Sequence, residues 1–291
     1  MNETSIGLRF LDDIPAMEEE LTLMRRAGFE NFDLDLCTPS VRRLFHDEKQ
    51  CRTQIDLANE TLDGVKQSIY MAHGPYRPYE YGNPEKSAAN IEDMRLSIPV
   101  AGALHIPYLI IHPALAETFD LPLFDDRQKI IEMNVELYKE LVDLGAKHGV
   151  SICMENLFSK APTGLCTPAF SSCSQDLLDV MDRVPGLYMC LDYGHAMVSG
   201  QSATQMVLDL GPRLKALHLH SNNRKMDMHM APFECVEEPW REFSRALKKI
   251  NYTGTINLET HLVYYHMPKC MWPAAFSYLY SCAKQIADWM E

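Results

Sequence analysis

PYLIIH (107–112), DRQKIIEMNVELYKELVDLGAKHG (126–149) and VSICME (150–155) read as one strand–helix–strand unit. The two flanking runs are short and almost continuously apolar, as strands buried on both faces of a parallel sheet must be. The stretch between them is long, with apolar residues returning at helical spacing. The same alternation extends outward in both directions. Upstream lie the strand-like runs SIGLRF (5–10), NFDLDL (31–36) and QSIYMAH (67–73), and downstream LYMCLD (187–192), LKALHLH (214–220) and TINLE (255–259). Helical stretches fall between them, among them IPAMEEELTLMRRAG (14–28), NIEDMRLSIPVAGAL (90–104) and EEPWREFSRALKKI (237–250). WPAAFSYLYSCAKQIADWME (272–291) follows the last strand as a closing helix.

Eight β units alternating with helical ones predict an α/β chain folded as a single (β/α)8 barrel across residues 1–291. A doubly wound sheet shows the same alternation and is the competing architecture. The length of 291 residues favours the barrel, which typically needs about 250. Nothing marks a domain boundary: there is no low-complexity tract, linker or shift in composition.

Composition narrows the function classes. Nine cysteines without a CxxC pair favour reduced thiols and a cytoplasmic setting over a secreted disulfide framework. MNETSIGLRF (1–10) has no basic stretch leading into an apolar run, so no signal peptide is expected. No apolar segment approaches the roughly 18 residues of a membrane helix. The net charge of −13 argues against charge-driven nucleic-acid binding, though it leaves room for a local basic groove. Oligomeric state is not written in the sequence. The seventeen methionines are scattered as core filler.

The polar residues at the strand ends carry the functional reading. Strand three ends in His73, strand four in His112, strand five in Glu155 and strand six in Asp192, with His195 just beyond; strand seven ends in His220 and strand eight in Glu259. In a parallel barrel these ends converge on the face where active sites lie. Each residue alone has an ordinary explanation, such as a packed histidine, a salt-bridged glutamate or an aspartate capping a helix. Six such ends at one level are better explained by a cation, because crowded buried carboxylates need compensating charge. His, Asp and Glu are also the side chains that hold divalent metals. His218 and His220 share one side of their strand. His220 is nearer the rim and is the expected ligand; His218 lies a layer deeper, supporting the ligands or packing in the core. Asp227 and His229 extend the site from the following loop. Tyr76, Tyr79 and Tyr81 form either a packed loop or a stacking wall and lid. His261 and His266 stand near the rim.

The ordered series MAHGPY (71–76), IIHP (110–113), CMEN (153–156), CLDYGHA (190–196), HLHSNN (218–223), MDMH (226–229) and INLET (256–260) resembles the xylose isomerase-like barrel superfamily. That superfamily includes sugar isomerases, ketose epimerases, inosose-handling enzymes and endonuclease IV. Resemblance to the ketose epimerases implies one divalent metal on Glu155, Asp192, His220 and Glu259. There Glu155 and Glu259 would remove and return a carbon-bound proton, His195 would touch a substrate oxygen, and Arg224 would be a further substrate contact. Resemblance to endonuclease IV implies three zinc ions on His73, His112, Glu155, Asp192, His195, His220, Asp227, His229 and Glu259. Mn, Mg, Co or Zn suits such ligands, with Zn favoured if more than one ion binds. The expected function is therefore a metal-dependent isomerase or epimerase of a sugar, sugar phosphate or cyclitol. The alternatives are a trinuclear zinc phosphodiesterase acting on abasic DNA, and a sugar-binding barrel without turnover.

Overall fold

Parallel neighbours cannot be joined by tight turns, so each crossover needs a helix-length connection, and the chain supplies one at every step. The computed structural model describes residues 2–76, 84–114, 127–235 and 239–291. The barrel strands are β1 (Thr4–Leu8), β2 (Asn31–Asp35), β3 (Ser68–His73), β4 (Tyr108–Ile111), β5 (Ser151–Glu155), β8 (Tyr188–Asp192), β9 (Leu214–His218) and β10 (Ile256–Leu258). Each falls within two residues of its expected ends. A hairpin of β6 (Phe158–Lys160) and β7 (Cys166–Pro168), absent from the sequence reading, follows β5.

The connecting helices are α1 (Ile14–Ala27), α2 (Pro39–Leu44), α3 (Glu48–Val65), α4 (Pro84–Ala103), α5 (Arg127–His148), α6 (Ser174–Met181), α7 (Tyr193–Val198), α8 (Ala203–Leu210) and α9 (Trp240–Lys249). A short α10 (His261–Tyr265) and the closing α11 (Trp272–Asp288) complete the chain. The α1 boundaries show how the sequence sets such limits. The Asp13 side chain accepts from Ala16 N–H at one end, and Gly28 takes the left-handed conformation (φ 118°) at the other.

Strand order decides between the two architectures. The sheet runs β10-β1-β2-β3-β4-β5-β8-β9, all parallel. Its two ends meet where Leu219 N–H donates to Asn257 O (3.0 Å) and Glu259 N–H donates to Leu219 O (3.2 Å). A doubly wound sheet leaves two free edges; this one joins them, and the fold is a (β/α)8 barrel.

Alternation along the strands separates two apolar regions. The larger core lies between strands and helices. A smaller one, Met71, Ile110, Cys153, Cys190 and Ala216, fills the barrel interior with Tyr70, Tyr108 and Tyr188 packed against it. Two residues further along the same strands stand His73, His112, Glu155, Asp192 and His218. The period of two therefore stacks the polar layer directly on an apolar plug.

Helix α5 anchors the polar end of β4. The fully buried Asn134 accepts from Ala114 N–H (2.8 Å) and donates to Ala114 O (3.0 Å) and Ile130 O (2.9 Å). Tyr138 adds a bond to Ile111 O (2.7 Å). Asn134→Ala would leave both Ala114 groups buried and unpaired, an expected loss of about 2–4 kcal/mol in urea unfolding. A loss near zero would show that this anchor is dispensable.

No helix among the described residues is long and apolar enough to cross a membrane. All nine cysteines are free thiols.

Candidate active site

Glu155, the last residue of β5, is fully buried and surrounded by imidazoles. Its Oε1 lies 2.9 Å from His218 Nδ1, and its Oε2 lies 3.0 Å from His112 Nε2 and 3.5 Å from His73 Nε2. Asp192, ending β8, serves two purposes. One oxygen caps α7 by accepting from His195 N–H, and the other lies 3.1 Å from His220 Nε2. Asn156 locks β5 to β8: its amide exchanges two hydrogen bonds with the Asp192 backbone (2.8 and 2.9 Å). Glu259 follows β10, with Oε2 3.5 Å from His218 Nδ1 and 3.7 Å from His229 Nδ1.

The loop after β9 brings in the remaining groups. Asp227 lies 3.1 Å from His229 Nε2, 3.6 Å from His220 Nε2 and 3.7 Å from His195 Nε2. His229 has a left-handed backbone (φ 46°), a conformation uncommon outside glycine and of a kind that concentrates at functional sites. Its ring is held on both sides, by Asp227 and by donation from Nδ1–H to Glu259 O (2.9 Å).

Histidines and carboxylates from every predicted strand end thus meet in one bowl, in overlapping groups. Donor atoms of Glu155, Asp192, His218 and Glu259 lie mutually within 4.8 Å. His73, Glu155 and His218 form a second group at that spacing, and His220 joins one with Asp192 and His195 and another with Asp227 and His229. The quartet differs from the sequence reading at one position: His218, and not His220, stands with Glu155, Asp192 and Glu259. His218 ends β9 level with Asp192, its register partner, whereas His220 lies beyond the strand, its Nε2 between Asp192 (3.1 Å) and Asp227 (3.6 Å).

Two acidic or thiol neighbours escaped the sequence reading. Asp33 of β2 lies 3.1 Å from His218 Nε2, and Cys37 Sγ lies 3.0 Å from His73 Nδ1. The signal for Asp33 was present, since it occupies a lumen-facing position in an alternating strand. Arg224 is exposed on the loop after β9. Tyr76 sets its ring 4.2 Å from that of His112, and Phe158 of the hairpin sets its ring 4.9 Å from that of His195. Tyr79 and Tyr81 lie outside the described residues. His261 packs on His229, rings 4.7 Å apart, and completes a group with His229 and Glu259.

The electrostatics favour positive charge. Burial opposes a charged His195, yet Asp192, Asp227 and Glu155 hold its pKa well above the ordinary histidine value. Burial likewise opposes His229, and Glu259 and Asp227 raise it to about 9. Burial would raise the Asp227 carboxyl; bonds to His195 and His229 instead hold it far below its usual range. Two histidines go the other way: burial holds His112 below its ordinary value, and burial with His229 pushes His261 to about 4. Protons on the imidazoles offset the carboxylates, and a metal cation binding here would displace them.

The xylose isomerase-like TIM barrel family matches residues 21–282. The chain belongs to that family. The 2-oxo-tetronate isomerase of Pectobacterium atrosepticum is 24% identical over 206 residues, 68% of this chain and 72% of the relative. D-allulose 3-epimerase from Methylomonas sp., solved with D-allulose, superposes with a TM-score of 0.72 at 19% identity, covering 100% of this chain and 98% of the other. A D-tagatose 3-epimerase-like protein also reaches 0.72, at 17% identity over 99% and 98% of the two chains. At these identities the structural likeness establishes the barrel fold.

Proposed function

We propose that the protein is a divalent-metal-dependent isomerase or epimerase acting on a sugar, sugar phosphate or cyclitol. The observation that carries this is the quartet Glu155, Asp192, His218 and Glu259, whose three carboxylates and one imidazole bring their donor atoms within 4.8 Å of one another. The donor set passes a direct test of fit. Glu259 Oε2 and Asp227 Oδ1 are buried without a hydrogen bond, and Glu155 Oε2 faces only the imidazole nitrogens of His112 and His73, a costly arrangement unless positive charge, on those rings or as a cation, takes these oxygens up. Mixed imidazole and carboxylate ligands suit Mn, Mg, Co or Zn. When bound, such an ion would polarise a substrate carbonyl and its neighbouring hydroxyl, making the adjacent C–H acidic.

Glu155 and Glu259 would then move the proton. Glu155 is sealed among His73, His112 and His218, so a proton it holds is sheltered from water. The Glu259 side chain is 18% exposed, so a proton there exchanges with solvent. Tyr76 and Phe158 would give the sugar apolar faces to stack on and keep water out, while His195 would contact a substrate oxygen. The names of the relatives, a 2-oxo-tetronate isomerase, a D-allulose 3-epimerase and a D-tagatose 3-epimerase-like protein, support the sugar reading.

The test combines metal analysis with isotope exchange. Metal-replete protein incubated with ketoses and ketose phosphates in deuterated water should place deuterium on a carbon next to the carbonyl, and chelated protein should not. Absence of exchange across a wide panel, with metal bound, would overturn the proposal. Chelation should also lower stability, by about 2.7 kcal/mol relative to protein held at a metal concentration of a hundred times Kd.

One observation favours a second reading. Glu155 belongs to two donor groups at once, so it could bridge two ions, as polynuclear phosphodiesterase chemistry requires. Three zinc ions per chain together with incision of abasic DNA would decide for it.

A further inference from the structure

The histidines of the bowl are oriented in two different ways. His73, His195 and His229 each turn Nδ1 outward to a main-chain carbonyl, of Gly74 (3.0 Å), Asn156 (2.9 Å) and Glu259 (2.9 Å) respectively. His220 does so more loosely, toward Ser221 O (3.4 Å). All four therefore aim Nε2 inward. His218 is reversed: Nδ1 faces Glu155 and Glu259, while Nε2–H donates to Asp33 Oδ2 (3.1 Å). Its outer partner is thus a carboxylate, in a lumen position where Asp33 is 4% exposed. Asn257 donates to the same oxygen from β10 (3.3 Å) and fixes the carboxylate against β9.

We infer that Asp33 is a positioning residue that holds His218 with its proton on Nε2 and its Nδ1 lone pair aimed at the cation position. This rests on the proposal that the quartet binds a metal. A neutral imidazole can offer only one nitrogen as a ligand, and the hydrogen bond at the other decides which. A carbonyl partner fixes that choice by geometry. A carboxylate also adds negative charge behind the ring, making the inner nitrogen more basic. His218 is the only member of the quartet that contributes nitrogen, so the effect falls on the central ligand set rather than on its flanks.

The test uses metal-free full-length protein and Mn2+ as the probe, with affinity read by chelator competition. Wild type is measured first: if it binds no Mn2+, the metal proposal itself fails, and this inference with it. If wild type binds, Asp33→Asn should weaken affinity by roughly ten- to hundredfold, because the amide can still accept from Nε2–H but carries no charge. Ser5→Ala is the control, since Ser5 is a fully buried residue paired in register with Asn257. It should leave affinity unchanged. An Asp33→Asn protein that binds like wild type, or a Ser5→Ala protein that loses as much, would overturn the inference. If Asp33→Asn does not fold, nitrogen-15 spectra of histidine-labelled, zinc-loaded wild type answer the same question. His218 should carry its proton on Nε2; a proton on Nδ1 would overturn the assignment.

Discussion

Glu155→Gln and Glu259→Gln should each lower kcat by about 10²–10⁴, the range set by loss of a positioned acid or base, while the protein stays folded. Gln keeps the shape and one acceptor oxygen but cannot take up a proton. The two variants should differ in metal affinity. Glu155 touches His73, His112 and His218, so neutralising it removes the charge that three imidazoles share, and metal should bind more weakly. Glu259 is held at longer distances, 3.5 Å from His218 and 3.7 Å from His229. Its variant should retain more metal and lose turnover chiefly through kcat. Rates are therefore compared at matched metal occupancy, with deuterium exchange followed separately from product formation. Retention of more than a tenth of wild-type kcat by either variant at full occupancy would remove that carboxylate from the proton-transfer step. Loss of exchange in only one of them would assign proton abstraction to that residue.

The parts of this site that the sequence displayed are those where a single polar residue ends an apolar run. IIHP, CMEN and CLD are of this kind, and His112, Glu155 and Asp192 stand where the alternation places them. Ambiguity arose where two residues share the alternation phase. His218 and His220 both face the lumen side, and nearness to the rim pointed to the outer one. The level of a side chain is set by strand register, however, and register with β8 places His218 opposite Asp192. Asp33 was hidden differently. NFDLDL ends in the buried Leu36, so the run shows no polar terminus, and the partner that gives its first aspartate a role lies 185 residues away. The hairpin that carries Phe158 is built from SKAPTGLCTP, which lacks strand-like composition. Its two strands gain their pairing from the tertiary setting, including Cys166 N–H donating to Lys225 O (2.8 Å) across to the loop after β9.

Gly194→Ala should destabilise the protein and disturb the bowl, although alanine ordinarily strengthens a helix by about 1 kcal/mol over glycine. The reason is close approach. A Cβ at residue 194, in α7, would stand 1.9 Å from His220 Cε1 and 2.4 Å from its Nδ1. The ring has nowhere to retreat. It is fully buried, stacked on His229 at 4.2 Å, and 3.1 Å from Asp192. The backbone of Gly194 is held as well, since its carbonyl accepts from Asn222 Nδ2 at 2.8 Å. Overpacking of this kind typically costs about 1–3 kcal/mol, opposite in sign to the propensity effect, so the sign of the change is itself diagnostic. Displacing His220 should also spread to Asp192, which it contacts, and weaken metal binding at the quartet. A double-mutant cycle separates sterics from backbone effects. If the ring is the obstacle, adding His220→Ala to Gly194→Ala should recover stability that Gly194→Ala alone loses. Additive losses, or a Gly194→Ala protein as stable as wild type, would mean that residue 194 does not need to be bare for His220 to reach its place.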